Sequence, residues 1–128
     1  MYVDTSEVRE GTLEELKAAM KGLSDFVEAN EPRIIAYNVY LSEDGTRVTV
    51  VHVHPDSESL EYQMEVAGPV FRQFAELVTL SSVHIYGDPS EKALRQSHEK
   101  ARVLGRDDVV VESLHAGFTR FAVESPVQ

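Results

Sequence analysis

An α+β fold with the βαββαβ order and antiparallel sheet of ferredoxin-like domains, extended by a C-terminal helix and strand, is predicted by the 128-residue sequence. Three observations predict it. Segments that alternate at period two trade places with segments whose apolar residues recur every three or four positions, the marks of strands and amphipathic helices. A turn signal, SEDGT, joins two runs rich in β-branched and aromatic residues. No repeat or linker tract interrupts the chain, and its length suits one domain, 1–128, divided into a 1–87 unit and an 88–128 extension.

Tyr2 to Arg9 reads as the first strand. Thr12, with Glu15 three residues on, has the form of a capping box opening a helix. Leu13, Leu16, Met20, Leu23 and Val27 then make one apolar stripe, and Pro32 ends the element. Arg33 to Leu41 and Thr46 to His54 form a hairpin around a three-residue loop, Glu43-Asp44-Gly45, closed by the glycine in the left-handed region. Asp56 or Ser57 caps the next helix, which Gly68-Pro69 is expected to break in two, because proline removes a donor and clashes with the preceding turn. Thr79 to Tyr86 is a strand. Asp88 as N-cap, Pro89 at the first helical position and Glu91 open the last helix, and Gly105 closes it. Val109 to Phe121 is one more strand or a bent pair, lying at a sheet edge or reaching a partner chain.

The three-residue loop sets a register in which Tyr40 opposes Val48, Asn38 opposes Val50 and Ala36 opposes His52. One sheet face then collects Asn38, Tyr40, His52, His84 and Tyr86 amid Ile34, Ala36, Val48, Val50 and Leu80. The other, more apolar face should meet the helices. A half-apolar face without helices needs a cover, and a two-fold dimer is the simplest one.

Composition narrows the partners. Twelve basic residues against 22 acidic ones give a net charge of −10, which argues against nucleic acid and anionic membrane. Cysteine is absent, so disulfides, thiolate metal sites and thiol nucleophiles are excluded; a reducing, cytoplasmic location is expected. Apolar runs are too short for a membrane span, and MYVDTSEVRE lacks the apolar centre of a signal peptide.

The hairpin followed by HPDSESLEYQMEVAGPVFRQFAEL resembles the antibiotic biosynthesis monooxygenase-like group of the dimeric α/β-barrel superfamily. Asp56, Ser57, Glu58, Gly68, Pro69 and Phe71 carry the likeness, over roughly residues 1–87. It implies two sheets packed face to face in a homodimer, enclosing a pocket on the His52 face. It also implies chemistry on polycyclic phenols, quinols or haem, the first of these with O₂ and no cofactor, although many members have no known activity. The haem branch relies on an Asn, a Trp and a His; here there is no Trp, and GPVFRQFAEL contains no His. The cofactor-free chemistry stays open: His52 or His84 as base, and Asn38, Tyr40 or Tyr86 holding a phenolate oxygen.

His-x-His at 52 and 54 also invites a metal. A site needs a third ligand, for which His84 alone is on offer, so polar or pocket histidines are the favoured reading and no metal is expected. His54 is expected to face solvent, and His98 and His115 to be structural. Three functions follow, in order: a cofactor-independent monooxygenase acting on a small aromatic, phenolic or quinol-like molecule; a non-catalytic ligand-binding dimer; and metal chemistry at His52.

Overall fold

The computed structural model describes residues 1–120. The elements run β1 (Tyr2–Val8), α1 (Leu13–Asn30), β2 (Ala36–Leu41), β3 (Arg47–Val53), α2 (Ser57–Phe74), β4 (Val78–Tyr86), α3 (Glu91–Val103) and β5 (Val109–Glu112). The sheet order is β2-β3-β1-β4-β5. The first four strands pair antiparallel in the ferredoxin-like arrangement, and β5 adds to the β4 edge in parallel. The sheet is therefore mixed, not purely antiparallel as expected. The crossover through α3 forces this, since a helix between neighbouring strands returns the chain in the same direction. Phe121, the expected end of the last strand, lies outside the described residues.

All three helices contribute to one core on one sheet face. Leu16, Leu23 and Val27 of α1 join Met64, Ala67, Phe71 and Phe74 of α2 and Ala93 and Ala101 of α3. The opposite face is open. Among the described residues no helix is long and apolar enough to cross a membrane.

The hairpin loop differs from expectation by one residue. Ser42 N donates to Arg47 O, so the loop spans Glu43 to Thr46. Asp44 Oδ1 accepts from Ser42 Oγ, Thr46 N and Thr46 Oγ1, drawing Thr46 out of the ladder and into the turn. Gly45 takes the expected positive φ, +73°. Tyr37 now opposes His52, and Val39 opposes Val50. A one-residue slip sends a strand's side chains to the other face. Val48, Val50 and His52 therefore point into the helix-side core, each at most 2% exposed. Leu80 follows them for a different reason: the β1–β4 register shifts between Thr5 and Ser6, leaving Ser81 as an extra residue between Leu80 and Ser82.

Helix ends also differ. Thr12 makes no side-chain cap; its hydroxyl donates instead to Arg9 O and Leu77 O. Asp56 caps α2 as expected, accepting from Ser59 N. The cap of α3 is Ser90, two residues beyond Asp88, because Ser90 N donates to Ser57 Oγ while its hydroxyl accepts from Ala93 N. Helix α2 passes through Pro69 unbroken. Pro69 and Glu65, whose carbonyl loses its partner, are both exposed, so water satisfies the vacant acceptor. Buried Met64 and Ala67 before the proline, and Phe71 and Phe74 after it, hold the helix to the core.

The corrected register makes a sharp comparison between neighbours. Val50→Asp buries an unpaired carboxylate at a cost of several kcal/mol, set against a total stability of roughly 5–15 kcal/mol. Val51→Asp places the same charge on the open face. Far-UV circular dichroism with thermal melting should show Val50→Asp without a cooperative transition and Val51→Asp folded.

Candidate functional site

The helix-facing positions of β1 are Tyr2, Asp4 and Ser6, all buried. Opposite Asp4, α3 delivers Lys100, whose Nζ donates to Asp4 Oδ2 at 3.1 Å. Both residues are 7% exposed. The ammonium also lies 4.4 Å from the Phe71 ring centre and 4.7 Å from that of Tyr2. Burial would discharge each partner, but each one's field outweighs it. Lys100 therefore stays protonated well above the usual lysine range, and Asp4 stays ionised below the usual carboxylate range.

His52 sits beside this pair, its Nε2 3.7 Å from Asp4 Oδ2. Its Nδ1 is 2.7 Å from Gln63 Oε1 on α2. Its Nε2 makes no hydrogen bond. Burial holds the ring below its ordinary pKa, so it is neutral near pH 7. Tyr2 and Tyr37 flank the imidazole at 4.7 and 4.8 Å between ring centres. Burial raises both phenols, Tyr2 to about 12, so both keep their protons. His54 is not solvent-facing as expected. It turns inward onto Ser59 Oγ at 2.8 Å, and burial with His52 nearby pushes it down to about 3.

The cluster is incompletely satisfied. Tyr2 Oη, His52 Nε2, His54 Nε2 and Gln63 Nε2 are buried without a hydrogen-bond partner. Interior polar atoms are nearly always paired, so several orphans in one place mark room for water or a ligand. An internal cavity of about 30 Å³, enough for one or two waters, touches Asp4, Tyr37, Phe71 and Lys100. Behind Phe71 and Lys100 a cleft of about 360 Å³ opens between α2 and α3, bordered by Met64, Gly68, Pro69 and Gln96. Phe71 and Lys100 belong to the walls of both spaces.

Of the expected site residues, the sheet keeps four on one face, Asn38 and Tyr40 on β2 and His84 and Tyr86 on β4, with β3 and β1 between them. Asn38, Tyr40, His84 and Tyr86 occupy open-face positions; Asn38, Val51, Val3, His84 and Val110 form one row across all five strands. The His84 and Tyr86 rings stack at 6.0 Å. His52 does not join them, because the register shift sends it through the sheet to the helix side. Among the described residues no three His, Asp or Glu side chains are arranged to hold a metal ion.

The chain is similar in fold to MupZ from Pseudomonas fluorescens. Against that crystal structure the TM-score is 0.71 at 16% identity, over 97% of this chain and 91% of the other. No protein-family model matches the chain, and no curated protein does. At that identity the likeness concerns the fold alone.

Asp4, Gln63 and Lys100 were missed from the sequence. One signal was present for Lys100. Ala93, Ser97, Ala101 and Leu104 form a buried stripe at helical spacing, and Lys100 falls inside it. Asp4 shares the period of Tyr2 and Ser6, but an acid at such a position reads as outward.

Removing one member of a buried ion pair strands the other at a cost of about 3–5 kcal/mol, whereas removing both is far milder. Lys100→Met and Asp4→Asn should each lower the urea midpoint strongly, and the double variant should recover most of the loss. Single losses that simply add would mean the charges do not interact.

Proposed function

We propose that the chain is a cofactor-independent monooxygenase acting on a small aromatic, phenolic or quinol-like molecule, with His52 as general base. The observation that carries this reading is the buried, neutral His52, its Nε2 without a hydrogen-bond partner, beside other unsatisfied polar groups and the Lys100 cation. A substrate phenol or acidic ring C–H gives its proton to Nε2. Tyr2 Oη–H, Gln63 Nε2–H and the Lys100 ammonium supply donors and positive charge for the resulting oxyanion. The anion is electron-rich enough to react with O₂. A ring CH₂ becomes C=O with one oxygen atom, and its two hydrogens leave with the other as water. The electrons come from the substrate, so the step needs no redox cofactor. The α2–α3 cleft would receive the ring; cleft and inner cavity share Phe71 and Lys100 as walls, and Lys100 is paired to Asp4 beside His52.

A second reading, a non-catalytic ligand-binding dimer, is favoured by the inner cavity's size, since about 30 Å³ admits water but no ring. An oxygen electrode with a panel of anthrones, quinols and phenols separates the two. The expected result is oxygen uptake by the parent that falls 10²–10⁴-fold in His52→Ala, the usual weight of a general base. Uptake unchanged in His52→Ala overturns the assignment of the base. Binding of the panel without uptake supports the ligand-binding protein.

The proposal extends to the assembly, a homodimer through the open face. Tyr40 and Tyr86 are 56% and 44% exposed there, and Val110 is also exposed, on a sheet whose helices all lie behind it. Apolar burial yields about 25 cal/mol per Å², and a two-fold axis pairs identical faces in a closed unit. His84, Asn38, Tyr40 and Tyr86 would then line the interface. Light scattering at micromolar concentration should give twice the chain mass for the parent and a monomer for Val51→Asp; a monomeric parent would remove the barrel.

A further inference from the structure

From Ser113 to Arg120 the chain leaves its own domain. Every residue of that segment is exposed, Leu114 at 73% and Phe118 at 78%. A segment that stays in water is ordinarily polar, and large apolar side chains held clear of their own domain mark a contact surface. The root of the segment is fixed: Gly87 N donates to Glu112 O, and Ser113 Oγ donates to Asp88 Oδ1. Gly117, at φ +132°, bends it between the two apolar side chains, a conformation open to glycine. Its charge is also unlike the rest of the molecule. The segment contains no acid and ends on Arg120, whereas the whole chain carries −10.

A surface that matches it lies at the other edge of the sheet. In the order β2-β3-β1-β4-β5, β2 is the far edge strand, its outer side unpaired. Beside it a groove of about 430 Å³ runs between the end of α1 and the strand, with room for both side chains. Pro32, Ile34 and Ile35 give the groove apolar walls, and Ile35 is 46% exposed. Glu28, exposed on α1, stands at its rim. A chain filling its own groove would have to carry the segment across the whole sheet, about 19 Å at the usual strand spacing. Rooted at β4 and β5 and exposed throughout, the segment does not make that crossing.

We propose that the Ser113–Arg120 segment of one copy docks in the α1–β2 groove of a second copy, with Leu114 and Phe118 seated against Ile34 and Ile35 and Arg120 beside Glu28. A second copy is favoured over a foreign partner because each chain carries both halves of the contact. One edge of the sheet presents an apolar segment with a cation, and the other an apolar groove with an acid. A two-fold axis lets each copy give one segment and receive one, which closes the unit. The inference rests on the homodimer proposed above and adds two edge contacts to its face contact.

The chain has no cysteine, so an introduced thiol reports one position. Full-length Thr119→Cys is mixed with full-length Ser24→Cys, whose thiol sits on the α1 side of the groove, and treated with a short bis-maleimide. The expected product has twice the chain mass and links position 119 of one variant to position 24 of the other, read by mass spectrometry of the joined peptides. Glu91→Cys, exposed on α3, should give no such product in place of Ser24→Cys. Adding Leu114→Ser and Phe118→Ser to the Thr119→Cys chain should lower the yield at least tenfold. Glu28→Arg should lower it less, and Arg120→Glu in the partner should restore it. Light scattering on the parent keeps the two readings apart. A monomeric parent removes the homodimer and this contact with it. A dimeric parent overturns the segment contact alone, leaving the face contact in place, if the cross-link is absent, is as strong without Leu114 and Phe118, or forms only inside a chain bearing both thiols.

Discussion

Asp4 and Lys100 meet in the core of a domain that otherwise buries valine, leucine and phenylalanine. Neither charge is tolerable there alone. Each one's field keeps the other ionised against the pull of burial, and the pair joins the first strand to the last helix across 96 residues of sequence. The neighbouring groups depend on it. Tyr2 and Phe71 place their ring faces on the ammonium, His52 sets its Nε2 3.7 Å from the carboxylate, and Gln63 meets its Nδ1 from α2. A core of the same volume made of leucine would be easier to fold. The buried charges, the neutral imidazole and the unsatisfied polar atoms all cost the fold stability.

Which side of the sheet His52 faces is decided at the surface, in the turn between β2 and β3. Asp44, fully exposed, gathers three hydrogen bonds from Ser42 and Thr46 and is held at about 2 by them. Those bonds lengthen the turn to four residues. Val48, Val50 and His52 move to the helix side together, and Tyr37 comes opposite His52. A short side chain in a loop thus determines whether the His52 imidazole faces Lys100 or solvent. Had Thr46 stayed in the ladder, His52 would lie with His84 and Tyr86.

The order of elements was legible because it rests on local chemistry: the Leu16–Leu23–Val27 stripe, the Asp56 cap, the positive φ of Gly45, the glycine after α3. The face of each strand was less so. On β2 alternation alone sufficed, and Asn38 and Tyr40 lie where the pattern puts them. On β3 a stretch reading Val-Thr-Val-Val-His-Val is apolar on both faces, so periodicity could not choose and the turn had to. On β4 the extra residue at Ser81 flips Leu80 and leaves His84 and Tyr86 in place. The helix caps that failed, Thr12 and Asp88, lost to tertiary partners, Leu77 O and Ser57 Oγ, which no local pattern contains. The site was least legible, because its defining contact joins an acid and a lysine that each look like surface residues until they are seen together.

The division of labour within the chain follows from where Lys100 comes from. The first 87 residues complete a four-stranded ferredoxin-like unit and supply Tyr2, Asp4, His52 and Gln63. Without α3, Asp4 would face no cation, and the α2–α3 cleft would lack one of its walls. Strand β5 then pins α3 down: Val83 N donates to Asp108 O and Gly87 N to Glu112 O, closing the crossover on the β4 edge. Helix and strand are thus one device. The strand anchors the helix, and the helix delivers the charge that meets Asp4 in the core.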